Sequence, residues 1–243
     1  MTTGAAPKFL DAGEGALVIE FGREVDPAVN ARVMALDAAL AAEAPAGLIE
    51  LVPTYRSLMV HYDPLVLPRA ALIARIARLM DGLRAATKPR ARWVLPVCYD
   101  GDCGEDVAAI AEWAKLTPEQ VIALHSGAIY RVYMYGFAPG WCYLGGLPKE
   151  LGISRRAAPR PPIPPNTIII AGGLSLVATN SMPTGWWLIG RTAERMMRLD
   201  RDPAFLAEPG DELRFARVDR ATFDKLDARA AAGVTVSYRE PAS

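Results

Sequence analysis

Tyr135-Gly136-Phe137-Ala138-Pro139-Gly140-Trp141-Cys142-Tyr143-Leu144-Gly145-Gly146-Leu147-Pro148 holds four glycines, two prolines and four aromatic rings in fourteen positions. It follows the alternating run Arg131-Val132-Tyr133-Met134-Tyr135, whose period of two reads as a strand. Gly and Pro at this density break both helix and strand, so the stretch is predicted to be a rigid loop. Glycines let the backbone approach other groups closely, and prolines stiffen the neighbouring turns. Phe137, Trp141 and Tyr143 would then wall a pocket, or staple an Ω-loop that closes one end of a barrel.

Downstream, short apolar runs broken by Gly and Pro are predicted strands at 130–135, 167–171, 174–178, 186–190, 196–199, 212–218 and 234–238, with one helix at 221–232. Many short strands with turn signals describe a barrel or sandwich. Arg155, Arg156 and Arg160 precede Pro161-Pro162-Ile163-Pro164-Pro165, a stiff extended segment. On it, Arg160 would meet an anion without further ordering cost; Arg191, which follows Trp186-Trp187-Leu188-Ile189-Gly190, is a second candidate anion ligand. Arg155 and Arg156 read as a solvated turn. Trp186 and Trp187 must face opposite ways in a strand, one ring to the core and one to a groove.

Upstream, residues 93–99 are a predicted strand, 105–115 a helix, and Thr117-Pro118-Glu119-Gln120 a capping box opening a short helix through Leu124. His125 ends that helix just before the aromatic stretch. It would serve as acid or base beside a pocket, or cap the last carbonyls of its helix. His61, mid-strand, has an ambiguous face. Residues 84–92, basic and without apolar period, form the predicted boundary between domains 1–88 and 89–243. Before it, strands at 16–21, 47–52 and 55–62, a helix opened by Asp26-Pro27 and another by Pro68 give the order β-α-β-β-α. That is a split βαβ, ferredoxin-like arrangement.

The totals narrow the function classes. Lys plus Arg equals Asp plus Glu at 27 each, so net charge argues for neither nucleic acid nor a membrane surface. No apolar run approaches the roughly 18 residues that span a bilayer, and residues 1–8 lack the order of a signal peptide. Cys98, Cys103 and Cys142 with two histidines fit neither a disulfide framework nor a thiolate metal site, and point to a reducing cytoplasm. Phosphate-loop, Gly-x-Gly-x-x-Gly, His-Glu-x-x-His and Gly-x-Ser-x-Gly motifs are missing from the sequence. Of the carboxylates Asp11, Glu14, Asp100, Asp102, Glu105 and Asp106, no spacing singles out an acid/base pair.

Residues 15–22, 50–58 and 130–133, the block Gly136-Phe137-Ala138-Pro139-Gly140-Trp141-Cys142-Tyr143-Leu144, Pro159-Arg160, Gly185-Trp186 and Ile189-Gly190-Arg191-Thr192 carry a resemblance. Together they resemble the family of allophanate hydrolase subunit 1, the B-type subunit of 5-oxoprolinase and the Kip-type sensor-kinase inhibitors, and the carboxyltransferase half-domains (subdomains C and D) of urea carboxylase. The resemblance implies an α+β chain: a small ferredoxin-like α/β domain, then a cyclophilin-like β-barrel. It implies a cytoplasmic subunit of an ATP-dependent hydrolase of C–N bonds, with ATP used through the complex. A subunit 2/C-type partner protein would share the active site, and a lactam-utilisation-type third subunit would complete the ring opening of 5-oxoproline. Arg160, Arg191 and His125 are the expected catalytic residues, with Phe137, Trp141, Tyr143 and Trp186 binding substrate and no metal. The alternative is a regulatory protein docking on a sensor histidine kinase. The likeness of the barrel to cyclophilin does not by itself confer prolyl isomerase activity. Leu174, Ala178 and Thr184 depart from the Gln, Tyr and Gly of the family pattern.

Overall fold

The computed structural model describes residues 6–83 and 91–240. Residues 84–90 of the predicted boundary lie outside the described residues. The chain divides into two compact units, Met1–Lys88 and Pro89–Ser243.

In the first unit the elements are β1 (Lys8–Asp11), β2 (Ala16–Glu20), α1 (Pro27–Glu43), β3 (Leu48–Pro53), β4 (Ser57–Tyr62) and α2 (Arg69–Asp81). Asp26 caps α1 by accepting from the amides of Ala28 and Val29, and Pro27 occupies the first turn, where its missing N–H costs nothing. The sheet order is β1-β2-β4-β3 with each neighbour antiparallel. β2 and β3 therefore run parallel with β4 between them, which is the split βαβ read from the sequence. The fourth strand, β1, precedes the motif and carries no strand signal of its own. Leu17 and Ile19 of β2 and Leu58 and Val60 of β4 alternate onto one face, where they pack with Val33, Leu36 and Leu40 of α1 and Leu72 and Ile76 of α2.

The second unit contains β5 (Arg92–Cys98), α3 (Val107–Ala114), α4 (Pro118–Gly127), β6 (Ile129–Tyr135), β7 (Cys142–Gly145), β8 (Thr167–Ala171), β9 (Leu174–Ala178), β10 (Trp187–Thr192), β11 (Glu212–Arg217), α5 (Arg220–Ala231) and β12 (Tyr238–Glu240). Seven strands in the order β10-β8-β9-β7-β6-β11-β5 form a barrel, closed where Arg191 and Thr192 of β10 pair with Cys98 and Val97 of β5. β5 shares its free side between two partners, β12 along Arg92–Val94 and β10 along Val97 and Cys98. Pro96, which has no N–H to donate, sits at the changeover, and its carbonyl accepts from the Ala193 amide and the Thr192 hydroxyl.

Both faces of β8 are covered. Ile168 and Ile170 join Val177, Ile189, Tyr130 and Phe215 in the barrel interior, while Ile169 joins Leu176, Ala178, Leu188, Ile163 and Trp141 on the outer face. Two segments lie over that outer face. Arg160 donates its amide to Thr184, Arg156 to Gly185, and Ile163 to Met182, so the proline-rich segment pairs with the chain that enters β10.

Three expectations are corrected. Cys142–Gly145 is a strand inside the stretch read as pure loop, because Cys142 and Leu144 point inward and pair with β6 and β9. Residues 196–199 form no strand and make only an isolated bridge, Met197 to Phe205. At 234–238 the amides of Val236 and Ser237 donate instead to the buried Glu194 carboxylate, which delays β12 to Tyr238.

Candidate functional site

The aromatic stretch turns on Gly140. Its φ is +76°, and a Cβ there would lie 2.7 Å from Met197 Cβ and 3.0 Å from Thr179 Cγ2, so only glycine fits. Thr179 donates its hydroxyl to the Pro139 carbonyl at 2.6 Å, and Trp141 donates its indole N–H to Asn180. Phe137 also has positive φ, +68°, yet it is a bulky residue and 74% exposed. A strained, solvated ring held against Trp141 at 5.0 Å between centroids is an arrangement that packing alone does not require.

Four of the predicted binding rings come together. Trp141 is sealed as the floor of the outer-face cluster, and Tyr143, on the outward side of β7, packs with it alongside Trp186. Tyr143 meets Trp186 edge-on at 6.3 Å, and Phe137 rises from Trp141 at the other end. Trp186 and Trp187 face opposite ways as alternation demands. Neither is fully buried: Trp187 donates to the Ser154 carbonyl at 2.7 Å and carries the Arg156 guanidinium 4.6 Å from its ring centroid.

The arginines behave differently from the expectation of a free anion clamp. Arg160 Nη1 donates to Asp106 Oδ2 at 2.7 Å and its Nη2 lies 2.5 Å from Glu105 Oε1, with its side chain only 14% exposed. Arg156 donates to the other Asp106 oxygen at 3.2 Å. Asp106, immediately before α3, also accepts the Leu188 amide at 2.8 Å and donates its own amide to the Leu188 carbonyl. One buried carboxylate thus ties together α3, the proline-rich segment and β10. Sequence spacing could not distinguish Asp106 from its acidic neighbours, since its partners lie 54 and 82 residues away.

His125 and Arg191 stand apart from this face. His125 is fully buried in the barrel, stacked on Phe215 at 5.0 Å, with Nδ1 2.8 Å from the Tyr99 hydroxyl. Burial lowers its pKa to about 3, so it is neutral at physiological pH. Its imidazole faces Tyr99, Tyr130 and Phe215, and the Tyr130 hydroxyl, not the imidazole, reaches the His125 carbonyl. Arg191 lies 5.4 Å above the Phe223 ring with Nε buried and unpartnered among the described residues, near Cys103 and Asp102. It shares no partner with Arg160. Among the described residues no three of His, Cys, Asp and Glu gather as a metal site would require.

The geometry defines a class: a closed barrel whose outer face, roofed by a proline-stiffened segment, displays aromatic rings beside a carboxylate-anchored arginine pair. The carboxyltransferase domain, subdomain C and D, family matches residues 7–207, and the chain belongs to it. The chain is 34% identical to the B-type subunit of 5-oxoprolinase from Bacillus subtilis over 225 residues, covering 87% of this chain and 92% of that protein. Among solved structures it is similar to TTHA0988, with TM-score 0.75 and 34% identity over 84% of this chain, yet it spans only 39% of that longer chain. The fold also matches part of Kluyveromyces lactis urea carboxylase, with TM-score 0.79, 17% identity, and coverage of 96% of this chain and 24% of that one. Among the described residues no helix is long and apolar enough to cross a membrane.

Proposed function

We propose that this chain is a subunit of an ATP-dependent hydrolase of cyclic amides or urea-derived amides, of the 5-oxoprolinase or allophanate-hydrolase type. It contributes one wall of an active site that a subunit 2/C-type companion completes. The observation that carries this reading is the similarity to the B-type subunit of 5-oxoprolinase across 92% of that protein's length.

The chemistry of the outer face supports it. Amide hydrolysis needs a general acid or base and a nucleophile. On this face the nearby carboxylates of Asp106 and Glu105 are engaged by arginines, and the imidazole of His125 is sealed in the core. What the face offers is binding and positioning: Tyr143, Trp186 and Phe137 as a ring-lined wall, Trp141 beneath them, and Arg160 holding the segment that frames them. Arg160 is therefore a positioning residue. Arg191 borders a separate cluster with Phe223. The reacting groups come from the companion.

ATP enters through the complex. The sequence has no glycine-rich phosphate loop, and Arg156 and Arg160 are committed to Asp106. A lactam-utilisation-type third subunit is the expected seat of that chemistry.

The test is reconstitution. The purified chain, a co-expressed companion and the third subunit are expected to co-elute and to release glutamate from 5-oxoproline, or ammonia from a urea-derived amide, only with ATP. Failure to associate and to turn over either substrate class would end this reading.

A further inference from the structure

Arg155 differs from its two neighbouring arginines. Arg156 and Arg160 are both bound to Asp106, whereas no carboxylate pairs with Arg155 among the described residues. Its guanidinium is nevertheless placed. A Cβ built on Gly185 would lie 3.4 Å from Arg155 Nη2, 3.5 Å from Nε and 3.8 Å from Cζ. The cation thus lies in van der Waals reach of position 185, one residue before Trp186. Tyr143, half-buried, feels that charge: burial raises the pKa of its phenol and the nearby Arg155 charge opposes that rise. Tyr143 in turn meets Trp186 edge-on.

A placed guanidinium without a carboxylate, a phenol and an indole on one wall make a recognisable chemical combination. The guanidinium fork matches a carboxylate with two parallel hydrogen bonds, the phenol is polar at its tip, and the indole covers an apolar ring or chain. We propose that Arg155, with Tyr143 and Trp186, forms a subsite for the carboxylate of a small substrate. Arg160 and Asp106 hold the segment that carries Arg155 but do not touch the ligand. Only the identity of the substrate rests on the function proposed above; the subsite itself is a property of this chain.

The test uses the full chain with its companion and two probes, 5-oxoproline and acetate, read by intrinsic tryptophan fluorescence and by steady-state turnover. Wild type is expected to give a saturable signal with both probes. Arg155→Ala is expected to weaken both by about 10–100-fold, and Arg155→Lys, which keeps charge but not the fork, by less. 2-Pyrrolidinone, which lacks the carboxylate, is expected to be indifferent to either variant. In turnover the loss is expected in KM with kcat nearly preserved, as for a binding group that acts equally on ground and transition states. Equal responses of wild type and Arg155→Ala, including no response from either, would overturn the subsite. An Arg155-dependent acetate signal in a complex that turns over no lactam would keep the subsite and discard the proposed substrate.

Discussion

The Arg160 guanidinium reaches Asp106 Oδ2 at 2.7 Å, on the same oxygen that receives the Leu188 amide at 2.8 Å. A loop arginine and a strand backbone are therefore fastened by one carboxylate, and the position of the proline-rich segment depends on that bond.

Removing Asp106 should cost more than removing Arg160. Asp106→Ala strips partners from Arg156, Arg160 and the Leu188 amide together, whereas Arg160→Ala leaves the carboxylate with two of the three. Charge-assisted hydrogen bonds are worth about 1.5–3 kcal/mol each. Urea denaturation is expected to show a loss of about 3 kcal/mol or more for Asp106→Ala, and roughly half of that for Arg160→Ala. The opposite ranking would show that the carboxylate does not organise this region.

His125 predicts acid sensitivity. Its folded-state pKa, about 3, lies below the ordinary histidine value of 6.5, so between those values the unfolded chain binds the extra proton. Its contribution to stability is complete above pH 6.5 and is lost as pH falls, with a slope of up to about 1.4 kcal/mol per pH unit. His125→Phe, keeping the stack on Phe215, is expected to flatten the stability profile between about pH 6.5 and 4 relative to wild type. Parallel profiles would place the titration elsewhere.

Phe137 holds φ +68° while 74% exposed, so its conformation costs the folded chain free energy that little burial returns. Phe137→Gly is expected to stabilise the isolated chain by about 1 kcal/mol, the ordinary cost of the left-handed region for an L-residue. The same variant should lower turnover of the reconstituted complex, because the exposed ring is lost. Greater stability with unchanged turnover would leave the strain without a functional partner.

Burial pushes the Cys142 and Cys103 thiols up to about 12, and Cys98 is fully buried beside Cys103. A thiol-specific disulfide reagent at about pH 8, near the pKa of an ordinary thiol, should label none of the three cysteines in the folded chain and all of them in denaturant. Rapid native labelling at Cys142 would mean that the aromatic loop opens readily.

Much of the fold was legible because its signals are local. Asp26-Pro27 and Thr117-Pro118 announced their helices through capping chemistry that acts within four residues, and both caps form. The alternating run of β6 and the short apolar run of β8 between turn residues identified strands for the same reason. β1 was missed because its pairing partner, not its own pattern, makes it a strand. β7 was missed because the inward Cys142 and Leu144 are masked by flanking glycines. Residues 234–238 misled because Glu194, distant in the chain, takes the amides that a ladder would have used.

The site divides in the same way. Residue types alone determined that rings, glycines and arginines concentrate in two short segments. Only the folded chain decided which of them act together. Closure of the barrel put Tyr143 and Trp186 on the outer face and swallowed His125. A carboxylate that spacing could not single out claimed Arg160 and Arg156, and left Arg155 free of a carboxylate among the described residues. Ion pairing and burial depend on three-dimensional neighbours drawn from distant parts of the chain, and such neighbours leave no periodic trace along it.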